Sequence, residues 1–431
     1  MSQSTVALND PQDPTSSAYK KARRLHLKTT RNRPEQAGAG WTPFRAAEKK
    51  YKARFPPPDL SQVLDLAAGD PSREQELSQG GWRGRSDAIP YHTLHSVDGT
   101  NTQIVTFPDI PGLVLLPSFL LSAEQRRLIR WSIRDHACHP NETNLDTHYI
   151  IPEEGLWTIH ERSVQEGKPS KYIQPRASTS APPSTPSTPP GPRQLISNQP
   201  ADKSNFLTLS AELKLPATPS TTVKPASVES LIPQLRWANI GWFYHWGTKQ
   251  YDFLRGKIEV SDVYKQVCKK AVSLVPWERV FGEDWREDDW GEDDWTTWNQ
   301  SYEPDAGIVN FYQTKDTLMA HVDRSEVCAT SPLVSVSLGC ASIFLIGGLT
   351  RDIDPVPILL RSGDVVIMSG PKCRRAYHGV PRIFSDTLPP HLQGNNEEEQ
   401  NWQLFAEYMK TTRINVNVRQ VFPKGFDPGL N

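Results

Sequence analysis

His321-Val322-Asp323 places an imidazole and a carboxylate two residues apart, downstream of the strand-like run Gly307–Tyr312. In extended chain, residues i and i+2 project to the same side, so the two donors are presented together. His378, in AYHGVPR directly after the run DVVIMSG, offers a second imidazole. Two His and one carboxylate on one face of an octahedron leave three positions open. That donor set suits a non-haem Fe(II) centre, which needs the vacancies for a cosubstrate and O2. A histidine and an aspartate at this spacing are common on ordinary surfaces, so the reading needs support from elsewhere in the chain.

The support comes from Arg413-Ile414-Asn415-Val416-Asn417-Val418-Arg419. Apolar and polar residues alternate strictly, so Ile414, Val416 and Val418 face a core and the two Arg and two Asn share the other face. Six residues of strand set the two Arg Cα atoms roughly 20 Å apart, and their long side chains can converge on a small dicarboxylate. A guanidinium fork pairs bidentately with carboxylate and keeps its charge. An exposed edge strand with solvated Arg would not account for two Asn, a residue depleted in strands.

These residues need a scaffold, and the second half of the chain reads as one. GIVNFY, LVSVSLG, ASIFLIGG, DVVIMSG and RINVNVRQV are short, β-branched or aromatic, and separated by Gly, Asp and Pro turns. That pattern predicts an antiparallel sandwich or jelly roll. Upstream, Ile110–Ile133 predicts a strand ending at Pro117 and an amphipathic helix with Ser122 as N-cap. A helix is expected across Asp262–Val275. Of Trp242, Tyr244 and Trp246, core packing is expected for at least two. Phe281–Trp298, with Trp285, Trp290 and Trp295 every five residues among acids, reads as a local insertion that repels phosphate.

The 431 residues carry a net charge of −1, so overall charge selects no partner. Thirty-eight prolines, clustered, point to disordered connectors around a folded core. Residues 1–105 read as an irregular N-terminal extension with one helix near Ala46–Ala53 and a solvated basic run, Lys20–Arg33. Residues 106–160 open the catalytic domain, 161–230 form a disordered Pro/Ser/Thr-rich insert around Pro175–Pro192, and 231–425 complete the domain. Glu397–Glu399 lie in the long interval between His378 and Arg413, read as a surface insertion. Five cysteines without a CxxC pair favour reduced thiols in an intracellular, reducing compartment. No membrane span, secretory signal or mitochondrial presequence is legible, which leaves nucleus or cytoplasm expected and the mitochondrion open.

Taken together, Asn310–Tyr312 (NFY), His321–Glu326 (HVDRSE), His378 and Arg413–Arg419 resemble the AlkB-like family of iron(II)/2-oxoglutarate dioxygenases. HVDRSE, with SGDVVIMSG and LRWANIGWFYHW, is similar to the eukaryotic branch typified by the first AlkB homologue. The resemblance implies a mainly β fold, a double-stranded β-helix (jelly roll) with flanking helices. It implies Fe(II) held by His321, Asp323 and His378, 2-oxoglutarate bound by Asn310, Tyr312, Arg413 and Arg419, and O2 as oxidant. It further implies oxidative demethylation of bases in nucleic acid, with formaldehyde released. Ser325 stands where bacterial repair members carry an acid, which favours methylated adenine or cytosine in tRNA, with DNA as a second substrate. A monomer is expected. The competing readings are a protein (histone) demethylase or hydroxylase and a non-catalytic jelly-roll binding module.

Overall fold

The computed structural model describes residues 13–30, 40–78, 80–177, 200–282, 295–394 and 402–429. Two antiparallel sheets face each other. The larger has eight strands: β1 (His92–His95), β2 (Gln103–Thr106), β3 (Leu113–Leu116), β4 (Trp237–Gly241), β5 (Ala306–Gln313), β7 (Leu333–Gly339), β10 (Val365–Met368) and β12 (Thr412–Arg419), in the order β1-β2-β3-β10-β7-β12-β5-β4. The smaller has four: β6 (Leu318–His321), β8 (Ser342–Ile346), β9 (Val356–Leu360) and β11 (His378–Ile383), in the order β6-β11-β8-β9. This is the jelly roll expected from the strand pattern.

Strand periodicity decides what lies on each side of the large sheet. Leu113, Leu115, Leu333, Val366 and Met368 point between the sheets, where they meet Phe344, Ile346 and Leu360 of the small sheet. Their neighbours Val114, Leu116, Val334, Val336, Val365 and Ile367 point the other way. There they pack against helices numbered in chain order: α3 (Ser122–Arg130), α4 (Gly155–Gln165), α5 (Asp262–Ser273) and α6 (Trp402–Met409). Ile414, Val416 and Val418 belong to this helix-covered core, so the polar face of β12 looks into the space between the sheets.

Several expectations need correction. The described part of residues 1–105 is not irregular. Two helices, α1 (Ser17–Thr30) and α2 (Pro43–Lys52), precede a buried loop, and Phe44, Tyr51, Leu60, Val63 and Trp82 cover the outer face of the small sheet against Ile343, Leu345, Leu359 and Phe384. Thr42 caps α2 by accepting from Arg45 N, and Pro43 occupies its first position. The insert is narrower than 161–230. Helix α4 runs to Gln165, Tyr172–Ile173 pairs with Ala226–Ser227, and Phe206 is buried in an aromatic cluster with Phe253, Phe422 and Phe426. Most of Pro175–Pro192, the acidic part of the Trp-rich run at 283–294, and Glu397–Glu399 lie outside the described residues. Helix α3 begins at Ser122 rather than using it as a cap; Glu124 accepts from Leu121 N at 2.8 Å.

Strands β6, β9 and β11 had no sequence signal. Pro357 and Pro381 disguise two of them. Pro357 sits in edge strand β9, and Pro381 sits where the β8–β11 register shifts, the two places a strand tolerates a missing N–H.

The N-terminal segment is tied to the barrel by a buried ion pair. Arg361 donates from Nε and Nη2 to the two carboxylate oxygens of Asp65 at 3.0 and 2.8 Å, with both side chains almost wholly buried. Leu64 adds backbone bonds to Pro357 and Leu359. Removing one partner of such a pair strands a charge in the interior, which costs about 3–5 kcal/mol. Asp65→Ala should therefore lower the unfolding free energy by that amount in urea titrations, and adding Arg361→Met should restore much of it. An unchanged midpoint for Asp65→Ala would mean that the segment is not part of the folded core.

Candidate active site

The register of the small sheet sets His321 at the end of β6 directly opposite His378 at the start of β11. Their rings lie 4.3 Å apart between centroids. Asp323 follows just beyond the strand, with its carboxylate 3.9 Å from His321 Nε2. One ligand atom from each of the three lies within 4.8 Å of the others, the one such grouping among the described residues. Each imidazole is oriented by its own backbone: His321 Nδ1 lies 3.0 Å from Met319 O and His378 Nδ1 3.1 Å from Ala376 O. Donation from Nδ1–H leaves Nε2 as the free lone pair, the tautomer a metal requires.

Electrostatics keep His378 and Asp323 deprotonated. Burial, and then the neighbouring His321, push the His378 imidazole down to about 4, so it is neutral at ordinary pH. Burial alone would raise the Asp323 carboxyl, but Arg419, His378 and His321 overcome it and hold it well below the usual carboxylate range. Two imidazoles, that of His378 neutral, and one carboxylate fit a divalent, oxygen-activating metal.

The triad opens into a cavity of about 460 Å³ between the sheets. The four polar residues of β12 form one wall, with Asn310 and Tyr312 beside them on β5. Pairing puts Tyr312 opposite Arg413 and Asn310 opposite Asn415. Arg413 is buried; Nη2 donates to Ser337 Oγ at 3.0 Å, while Nε and Nη1 have no partner. An unpaired guanidinium in the interior is strongly disfavoured, and burial lowers its pKa to about 10. Such a group is the mark of a site whose anion arrives from outside. Arg419 differs. Its Nη1 donates to Glu326 Oε1 at 2.8 Å and lies 3.5 Å from Asp323 Oδ2, with Nη2 against Asn417. Only its Nε is without a partner.

All seven expected residues thus line one cavity. The sequence reading missed others. Glu326 is buried beneath Arg419, accepts from Tyr251 OH at 3.2 Å and faces Arg374 at 3.6 Å. Two arginines inside a sandwich demand a buried counter-ion, and Glu326 was the acid at hand in HVDRSE. Tyr377 and Arg351 also line the cavity, the guanidinium lying 5.0 Å from the ring centroid. Of the aromatic trio, Trp242 sits in a core cluster and Tyr244 packs against it, as expected for two of the three. Trp242 packs against Phe253 and Phe422, but both Tyr244 and Trp246 line the cavity. Ser325 Oγ donates to Lys249 O at 3.0 Å, latching the ligand loop to the hairpin that carries those two rings.

The model of the 2OG-Fe(II) oxygenase superfamily matches residues 194–419, just over half of the chain. Among curated proteins, the chain is similar to the DNA N(6)-methyladenine demethylase ALKBH1A of Arabidopsis thaliana, 28% identical over 88% of this chain and 96% of that protein. It is also similar to the tRNA demethylase abh1 of Schizosaccharomyces pombe, 28% identical over 88% of this chain and 96% of that protein. The human nucleic acid dioxygenase ALKBH1 is 35% identical over 44% of this chain and 47% of that protein. The chain therefore belongs to the 2OG-Fe(II) oxygenase superfamily, in its AlkB-like branch, whose chemistry uses Fe(II), 2-oxoglutarate and O2.

Proposed function

We propose that this enzyme removes methyl groups from bases in nucleic acid, tRNA before DNA, with His321, Asp323 and His378 holding Fe(II). Asn310, Tyr312, Arg413 and Arg419 would hold 2-oxoglutarate. The observation that carries the reading is the contents of one cavity. A metal-ligand triad and a buried, half-satisfied Arg413 share it with the aromatic rings of Tyr244, Trp246 and Tyr377 and the cations Lys249, Arg324 and Arg351. Base-modifying enzymes extract their target from the stack and hold it between aromatic or apolar side chains, with cations for the backbone.

Held by His321, Asp323 and His378, Fe(II) would supply O2 activation coupled to decarboxylation of 2-oxoglutarate to succinate and CO2, with the oxidised methyl group lost as formaldehyde. The chain's own residues do the positioning. Arg413, with Tyr312 beside it, would take one carboxylate of the cosubstrate; Arg419, fixed by Glu326, would take the other. Asn310 and Asn415 supply amides to the strip between them. The rings of Tyr244 and Trp246, 5.0 Å apart edge to face, would clasp the base.

Three features favour tRNA. Ser325 has its hydroxyl engaged with Lys249 O, so no acid is present there to pair with an alkylated base. A relative matched along nearly its whole length is named as a tRNA demethylase. A net charge of −1 suits local contacts over a long grip on duplex phosphates. The enzyme would act as a monomer in a reducing compartment, nucleus, cytoplasm or mitochondrion, in keeping with five unpaired cysteines, four of them buried. Among the described residues no helix is long and apolar enough to cross a membrane.

Replacing His321, Asp323 or His378 with Ala should abolish 2-oxoglutarate decarboxylation and drop bound iron below stoichiometry, with circular dichroism unchanged. Full iron content in all three variants would remove the assignment. Arg413→Ala should weaken 2-oxoglutarate binding about tenfold or more, since a charge-assisted hydrogen bond contributes about 1.5–3 kcal/mol; calorimetric titration of the metal-loaded protein reads it, and equal affinity would place the cosubstrate elsewhere. Formaldehyde release from N1-methyladenosine tRNA should outpace release from methylated duplex DNA at equal salt. The reverse order would reverse the substrate preference.

A further inference from the structure

The main cavity has a neighbour. A second cavity of about 360 Å³ lies where the start of α2 meets β6, walled by Trp41, Thr42, Arg45, Met319, Ala320 and Arg351. Ala320 and Arg351 belong to both cavities, and Ala320 directly precedes the ligand His321. A chain that enters the main cavity past Arg351 therefore meets the second one next.

The chemistry of its walls is specific. Trp41 is 38% exposed, a large share for an indole, and Lys49 Nζ lies 5.5 Å from its ring centroid. Arg45 reaches the cavity from the first turn of α2. Arg351 donates from Nη2 to Ala320 O at 3.1 Å while its plane lies near Tyr377, which fixes the guanidinium between the two cavities. The one acid present, Glu48, has both oxygens engaged: Oε1 accepts from Ala320 N at 2.6 Å and Oε2 from Arg45 Nη1 at 2.9 Å. Against Arg45, Lys49 and Arg351, that single carboxylate leaves the site cationic. One open aromatic face flanked by cations is the arrangement that holds single-stranded nucleic acid without reading its sequence.

We propose that this second cavity is the subsite for the nucleotide adjacent to the methylated one, its base stacked on Trp41 and its phosphate held between Arg45 and Arg351. This rests on the nucleic-acid reading above and adds to it a polarity: one flanking nucleotide, on one side of the target, is gripped. The N-terminal segment is then part of the substrate site as well as a layer of the fold.

The test uses the full-length protein and three labelled single-stranded RNA 9-mers with a central N1-methyladenosine. One is complete, one lacks the base on the 5′ side of the target, and one lacks it on the 3′ side. Trp41→Ala should weaken binding of the complete RNA about tenfold and leave thermal stability and substrate-free 2-oxoglutarate turnover unchanged. With one of the two abasic RNAs, wild type and variant should bind equally, because the stacked base is already gone. Arg351→Gln should flatten the salt dependence of binding by about one phosphate contact. Equal affinity of wild type and Trp41→Ala for all three RNAs, with demethylation intact, would overturn the subsite and spare the function. Failure of wild type to bind or demethylate any methylated nucleic acid would overturn both.

Discussion

Two arginines on one strand, buried between two sheets, set the terms for everything around them. Arg413 and Arg419 are 1% and 6% exposed, and neither can shed its charge. A buried cation must be matched, and the protein matches the two in opposite ways. Arg419 is given Glu326 and Asp323 as permanent neighbours. Arg413 is given a hydroxyl and no acid, so its interior position is favourable only once an anion binds. The same strand thus carries one cation that builds the site and one that awaits a ligand.

The carboxylate ligand inherits its protonation from this arrangement. Asp323 is buried yet held as a carboxylate because Arg419 lies 3.5 Å away, and that arginine is in turn held by Glu326. Arg374 backs Glu326 from the far side. The row Arg374, Glu326, Arg419, Asp323 alternates in sign and ends at the triad. Neutrality of His378 comes from the other source, burial, with the neighbouring His321 acting in the same direction. The site is therefore assembled from opposed effects, desolvation for the His378 ring and ion pairing for the Asp323 carboxylate.

Legibility in the sequence followed the same physics. The strict alternation of Arg413–Arg419 was readable because a strand buried on both faces, one apolar and one polar, leaves a period of two. What that pattern could not reveal is how completely both Arg are buried, so the need for Glu326 as counter-ion stayed hidden. Strands β9 and β11 were hidden by Pro357 and Pro381, whose tolerance depends on an edge and a bulge that no local pattern announces. The helix α2 was half visible. Phe44, Ala47, Glu48 and Tyr51 fall on one helical face, but their burial partners lie some three hundred residues away on and beside β8 and β11. Phe206 is a single aromatic in a polar, Pro-rich stretch, and its partners Phe253, Phe422 and Phe426 come from two distant segments.

The small sheet explains why the N-terminal segment must be there at all. Its two edges are β6 and β9, and β6 carries the ligand His321 at its end. An uncovered edge strand frays and recruits other chains, which is incompatible with holding a metal ligand within a few tenths of an ångström. Residues before 106 cover both edges. Leu64 pairs with Pro357 and Leu359 along β9, and Glu48 accepts the free N–H of Ala320 on β6. That second contact sits one residue from His321, so the carboxylate of Glu48 fixes the backbone from which the imidazole projects. A change in α2 is consequently transmitted to the ligand through one hydrogen bond. A segment that reads as a tail in the sequence forms, in the fold, the outer wall of the catalytic centre.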